Sequence, residues 1–469
     1  MRDVSAKSSM IAAPNAPSVF VPMRFIVAGM VSLFVAAVLL VLKPSVLATY
    51  HYNQHIISIT HLLVLGWVCS VVMGAVYQLV PVALETQLYS ERIAKWQFLF
   101  HLIGFVGMVW MFWVWDMKQV GHFGSAFAVG VGLFAYNVIR TLARVPRWNV
   151  IATAVASSVF WLMVTVLVGL SVAAGKCAYE YATPLTQAGA MRTMLRGLQA
   201  AGAFMGRFDQ ISAMHAHAHL GVLGCFIMLI VGVSYRLIPM FAVSSLQSAR
   251  RAAWSVWLLN AGLAGAFVCV LLRSPLKLFF GAVIVAGLIL YGIEVRAILR
   301  ARHRKTLDGP VRQFLVAIGL LGPVAGLGLV LAWPSLPLTA LTGQLETLYA
   351  YVAILGVVSG AILGMLYKIV PFLVWFGRYS RRIGREKVPA LAEMYSAPVQ
   401  WVSGAIYLLA LIVTGAGIVM SHEGLVRVGG VVLCVALGLF AWNMALVFRH
   451  LVKPRIAVPA MSAPIGVKA

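Results

Sequence analysis

Stretches of roughly 20 mainly apolar residues recur with short breaks from Met23 to Leu451, and each is long enough to cross the hydrocarbon core of a bilayer. In lipid, a backbone must satisfy its own hydrogen bonds, so such stretches can only be helices or strands of a closed barrel. Their length selects helices. The expected spans are 24–43, 56–81, 96–115, 123–142, 149–174, 211–239, 254–273, 277–299, 311–333, 346–375, 398–420 and 425–451. Hydrophobic residues make up 62% of the chain and charged ones 10%, against roughly a quarter charged in soluble domains. A soluble enzyme is excluded. The expectation is an all-α integral membrane protein with about twelve transmembrane helices in a single domain, 24–452, between tails 1–23 and 453–469.

Residues 1–20 carry Arg2 and Lys7 but no apolar core ending in a small-residue cleavage site, so they read as a cytoplasmic tail rather than a signal peptide. The formal charge of +24 resides in short loops, where cations set topology and meet anionic membrane lipid. Nucleic acid is not an expected partner. Alternate loops differ in charge: one set carries Arg92 and Lys95; Arg140, Arg144 and Arg147; Arg250 and Arg251; Arg300 to Lys305; Arg378 to Lys387; and Lys453 and Arg455. That set is cytoplasmic by the positive-inside rule, as are both termini. The exception on the other side is the segment 175–210, with Lys176, Arg192, Arg196 and Arg207, which has room for a surface helix. Cys69, Cys225, Cys269 and Cys434 lie in apolar helices and Cys177 outside them, without a CxxC or CxxCH motif. No disulfide framework or covalent haem attachment is indicated.

Three spans repeat one another without a gap. The second reads THLLVLGWVCSVVMGAVYQLVP (60–81), the sixth AHLGVLGCFIMLIVGVSYRLIP (218–239) and the tenth AYVAILGVVSGAILGMLYKIVP (350–371). Gly66, Gly224 and Gly356 coincide, as do Gly74, Gly232 and Gly364, Tyr77, Tyr235 and Tyr367, and Pro81, Pro239 and Pro371. This predicts a triplicated four-helix unit with pseudo-threefold symmetry. The glycines read as close-packing positions, and the prolines as helix ends or kinks at the cytoplasmic boundary. Gln78, Arg236 and Lys368, each following a tyrosine, read as interfacial snorkelling residues, with a proton or quinol route as the alternative.

The repeated helices run from outside to inside, so their opening residues lie toward the outer leaflet. His61 opens the first copy, and MHAHAHLG leads into the second with His215, His217 and His219. His219 aligns with His61; the third copy has Tyr351 there and Tyr349 two residues earlier. Residues two apart on a helix point about 200° apart, whereas residues four apart share a face. His217 and His219 must therefore serve different neighbours, while His215 and His219 can reach one metal. Neutral imidazole ligates haem iron, copper and zinc, and polar groups at membrane depth usually face a cavity, a cofactor or another polar group. His61, His215, His217 and His219 are the candidate ligands.

The other polar residues read more blandly. His101 reads as a hydrogen-bonded packing residue, His51, His55 and His122 as surface residues, and His303, His422 and His450 as loop or tail residues without a partner. Glu294 is expected to pair with Arg296, and Asp209 and Glu346 to serve as first-turn carboxylates that complement helix dipoles.

Twelve spans, threefold internal repetition and histidines at the outer ends of the second and sixth spans resemble subunit I of the haem-copper oxidase superfamily. THLLVLGW followed by GAVYQLVPVALE looks most like its members grouped with the C-family cytochrome c oxidases and nitric oxide reductases. The resemblance covers the whole chain in architecture and is motif-specific only around the repeats. It implies that His61 matches the low-spin haem ligand of helix two, and that a histidine of 215–219 matches the copper ligand of helix six. The pattern departs elsewhere, because the family's His-x-His pair on helix ten is Tyr349 and Tyr351 here. Its adjacent histidines around helix seven have no counterpart in 254–273.

The resemblance therefore implies a b-type haem between His61 and His217 or His219, with His215 and the remaining histidine left for copper or a second haem. Tyr351 is a weaker candidate ligand, and Arg192 and Arg196 are candidate partners for haem propionates. The expected protein is a respiratory component of a bacterial-type inner membrane, working with a cytochrome c or quinol-linked partner subunit. It would transfer electrons or handle a diatomic gas at a non-standard centre. An active terminal oxidase or nitric oxide reductase with rearranged ligands, and a copper or zinc permease, are the alternatives.

Overall fold

In a computed structural model, residues 17–50, 52–180, 190–383 and 386–452 are described. Twelve helices among them are long and apolar enough to cross a membrane: Phe20–Leu42, Gln54–Ala83, Glu91–Val114, Met117–Leu142, Val150–Gly175, Gln210–Ala242, Ala249–Leu271, Lys277–Arg300, Gly309–Leu331, Ala340–Arg382, Ala397–Val419 and Glu423–Val452. The protein is a multi-pass membrane protein. The first helix begins inside the expected tail 1–23, and the tail 453–469 lies outside the described residues.

Three of these helices form the centre. In the second, sixth and tenth spans 61%, 78% and 78% of the most apolar stretch is buried, and no other span exceeds 44%. The first span packs on the second, the fifth on the sixth and the ninth on the tenth. The third and fourth, seventh and eighth, and eleventh and twelfth form close antiparallel pairs. The repeated glycines let these backbones approach: a side chain at Gly74 would strike Pro22 and Phe25 of the first span, one at Gly232 Ala154 of the fifth, and one at Gly364 Pro310 of the ninth.

The same polar contacts recur around this centre. Ser90, Ser248 and Ser396 cap the third, seventh and eleventh spans, each accepting a backbone N–H three residues on. Opposite each cap stands one polar residue of the following span. Asn137 accepts the Ser90 N–H at 3.0 Å and donates to its carbonyl at 2.9 Å, and Asn443 does the same at Ser396 at 2.9 and 3.0 Å. At the equivalent place Glu294 accepts from the backbones of Gln247 (2.7 Å) and Ser248 (3.0 Å). The repeated tyrosines reach the same regions: Tyr77 to Gln97, Tyr235 to Ser255 and Tyr367 to Asn443.

Several expectations are corrected. Glu294 is wholly buried and pairs with Arg251 at 2.7 Å, not with Arg296, because residues two apart on a helix face opposite ways. The helices do not stop at the prolines, and the tenth continues to Tyr379. That helix also begins at Ala340 under a Thr339 cap, so Glu346 lies in its second turn, whereas Asp209 does cap the sixth span. Helix Ala190–Met205 packs back on the fifth span, with Gly202 against Gly175.

Each central helix contains an eight-residue π-helical segment, Leu62–Cys69, Leu220–Ile227 and Val352–Ser359, beginning directly after His61, His219 and Tyr351. The wider turn replaces the i−4 pattern with i−5 bonds, as where the Gly360 N–H meets the Leu355 carbonyl. Hydroxyls add further bonds to carbonyls of these segments: Ser359 to Ile354 at 2.8 Å, Tyr407 to Leu355 at 2.6 Å and Ser158 to Cys225 at 2.9 Å.

Candidate ligand site at the N-terminal ends of the central helices

Two turns into the second span, Nδ1 of His61 lies 2.7 Å from the carbonyl of Ile57. His219 repeats the contact with the carbonyl of His215, also at 2.7 Å. A proton held on Nδ1 by a backbone carbonyl leaves Nε2 with its lone pair, the state in which a histidine ligates a metal. The two Nε2 atoms then meet different surroundings. That of His219 accepts from the Tyr349 hydroxyl at 3.3 Å, with the rings stacked at 5.8 Å, whereas the His61 ring packs on Phe112 at 4.6 Å.

His217 faces away from His219, as a spacing of two requires. It lies against Gly169 of the fifth span, where a Cβ would come within 2.7 Å of its Cε1. Its buried Nδ1 makes no well-formed hydrogen bond, and the Thr165 backbone, one turn before Gly169, is the polar group beside the ring. His61 is within electrostatic reach of this ring. The π-helical segments of the second and sixth spans both pack on that of the tenth rather than closely on each other. His61, His217 and His219 are only half-buried, and Ala218 is exposed, on the helices that are otherwise the most enclosed. The ends of the second and sixth spans that carry His61 and His217 are thus more exposed than the rest of these helices.

The histidines stand as single donors here and do not form a cluster. Among the described residues no three His, Cys, Asp or Glu side chains converge, so His215 and His219 are not joined by a third ligand. Tyr351 is buried beside Thr414 of the eleventh span, and the tyrosine that meets a histidine is Tyr349. The alignment of Tyr349 with His217 was its only sequence signal. Glycines make room for both residues, since Gly328 of the ninth span lies against Tyr349 as Gly169 does against His217. Arg196 is exposed on helix Ala190–Met205, and the Arg192 side chain lies outside the described residues.

Near the same ends of these helices, Tyr52 donates to Gln210 at 3.3 Å. Burial, then the carboxylates of Glu346 and Asp209, raise the Tyr50 phenol above its ordinary value. Gln344, which sequence reasoning passed over, has a buried Oε1 without a hydrogen-bond partner.

The remaining polar positions find local partners. His101 bonds to the Ser70 hydroxyl at 2.8 Å and His55 to Lys43 at 3.0 Å, while His51 lies outside the described residues. His450 and His422 are not without partners: His450 bonds to Tyr379 at 2.8 Å, and His422 accepts the Leu425 N–H at 3.1 Å. Lys368 pairs with Asp308, Arg236 is exposed as snorkelling requires, and Gln78 is buried with its Oε1 unpartnered. No protein-family model matches the chain, and no curated protein matches it in sequence.

Proposed function

We propose that this chain is a haem-bearing electron-transfer protein of a bacterial-type inner membrane, built like subunit I of the haem-copper oxidases from a triplicated four-helix unit with both termini cytoplasmic. The recurring contacts at Ser90, Ser248 and Ser396, and the π-helical segments at aligned positions, support the triplication. In this reading His61 and His217 hold one b-type haem in the gap between the second and sixth spans. The observation that carries it is that His61 bonds to a backbone carbonyl through Nδ1, leaving Nε2 for iron, within electrostatic reach of His217, whose buried Nδ1 makes no hydrogen bond.

The haem, when bound, would supply one-electron chemistry. The chain's own part is to fix the His61 tautomer through Ile57, to admit the His217 ring through Gly169 and to keep the site apolar with Phe112. Were His61 and His217 both to hold the haem, the group would serve electron transfer to a cytochrome c or quinol-linked partner and not oxygen or nitric oxide reduction. His219, already bonded to Tyr349, stands outside this pair, and copper remains a candidate only at His215 and His219.

Pyridine haemochrome and metal analysis of the purified protein test the reading. One b-type haem per chain is expected, and protein purified without haem but with stoichiometric copper or zinc would favour a metal permease instead.

A further inference from the structure

A second site lies between the eighth and ninth spans, at the end of the bundle that carries the cationic loops. A cleft of about 1090 Å³ opens there. Its mouth is lined by Arg296, Arg300, Arg302, His303, Arg304 and Lys305, all exposed, and its walls by apolar residues such as Leu288, Val295, Leu315 and Leu329. From Leu315 to Leu329 the ninth span rises about 21 Å at 1.5 Å per residue, more than the roughly 15 Å of one leaflet's hydrocarbon.

Two observations set this cleft apart from ordinary surface. The fourth span packs on the fifth, and the twelfth on the first, but the eighth meets mainly the second half of the ninth, Leu321–Leu331. The ninth helix is interrupted at Leu320, three residues before Pro323, whose missing N–H cannot bond the Gly319 carbonyl. Its first half, Gly309–Gly319, packs instead on the tenth and eleventh spans. The glycines on the cleft, Gly292, Gly319, Gly322 and Gly326, have nothing within 4 Å of where a Cβ would stand. Unlike Gly74 or Gly232, they make no close helix contact, and their lack of side chains leaves room.

We infer that this cleft binds a diacyl phospholipid with an anionic headgroup, its phosphate held by the cations at the mouth and its chains lying along the glycine face. The charge complementarity is direct: basic pockets between spans bind anionic headgroups, and each nearby Lys or Arg strengthens attraction to an anionic surface. The carboxylates nearby are already engaged. Glu294 faces inward onto Arg251, and Asp308 pairs with Lys368 and, at 3.8 Å, with Arg304. Arg302 and Arg304 also bond to the Leu299 and Phe241 carbonyls at 3.2 and 3.4 Å, which orders the mouth. This inference does not depend on haem binding.

Native mass spectrometry of the full chain purified in mild detergent tests it. The wild type should retain an anionic phospholipid, and the variant Arg296→Gln/Arg300→Gln/Lys305→Gln should retain about a hundredfold less. Gly319→Leu/Gly322→Leu fills the apolar part without changing charge and should also lose the lipid; both variants are scored only as monodisperse, fully helical protein. Delipidated wild type should recover the lipid from phosphatidylcholine vesicles doped with phosphatidylglycerol, but not from phosphatidylcholine alone. Equal retention in the wild type and both variants, equal uptake from phosphatidylcholine alone, or binding of inorganic phosphate without lipid would overturn the inference. So would a single-span protein that co-purifies in place of lipid and is lost with Gly319→Leu/Gly322→Leu.

Discussion

Glu294 shows how one side chain's role depends on what folds over it. Its sequence neighbour Arg296 suggested a snorkelling pair, but the fold brings Arg251 from the preceding helix and two backbone N–H groups onto the carboxylate. Removing one partner of a buried pair strands the other, although Arg251 retains 30% exposure and softens the loss. Glu294→Ala is therefore expected to destabilise the protein by about 2–4 kcal/mol. Asn443→Ala, which removes neutral hydrogen bonds at the equivalent place, should cost about 1–3 kcal/mol. Thermal unfolding of the purified variants in one detergent measures both, and a harmless Glu294→Ala would contradict the clamp. The histidines divide in the same way. Tyr349→Phe removes the hydroxyl that bonds to His219 and should leave the absorption of the haem proposed between His61 and His217 unchanged.

Among the elements, the repeated helices were legible because glycine, tyrosine and proline recur in register, and the glycines do pack as their spacing suggested. Their π-helical segments were not legible. Residue propensities do not mark them, and the hydroxyls that add bonds to their carbonyls, Tyr407 and Ser158, come from other spans. A π-helical segment is equivalent to an extra residue within an α-helix, so deleting Val64 should restore regular α-helix and rotate His61 by about 100° relative to the inner half. The variant is expected to insert with normal helical content and to lose its haem; full haem occupancy would show that the segment does not aim the ligand. Close packing gives a further contrast. Gly232→Val meets Ala154 at 2.3 Å and should cost roughly 1–3 kcal/mol by overpacking, whereas Gly322→Ala meets nothing and should leave the melting temperature unchanged.

At the scale of the whole molecule, twelve spans followed from apolar length alone, and the surplus of cations in alternate loops gave an orientation for them. What length and charge do not encode is which helices become central. That depends on contacts between residues far apart in the chain, such as the bond from the Trp67 indole of the second span to the Ser359 hydroxyl of the tenth at 3.0 Å. The choice between His217 and His219 is of the same kind. Their divergence follows from helical geometry, but that His219 meets Tyr349 and His217 lies against Gly169 required the assembled bundle. The orientation is testable by labelling single introduced cysteines in intact cells. Arg302→Cys should react only after the membrane is permeabilised, and Ser335→Cys should react before it; the reverse pattern would invert the topology.

The central claim, one haem held by His61 and His217, is met most directly by the reduced-minus-oxidised absorption spectrum of the purified protein and its single-histidine variants. A low-spin bis-histidine b-type spectrum is expected in the wild type and in His219→Ala, and its loss in His61→Ala and in His217→Ala. A spectrum that survives in His217→Ala but disappears in His219→Ala would contradict the assignment.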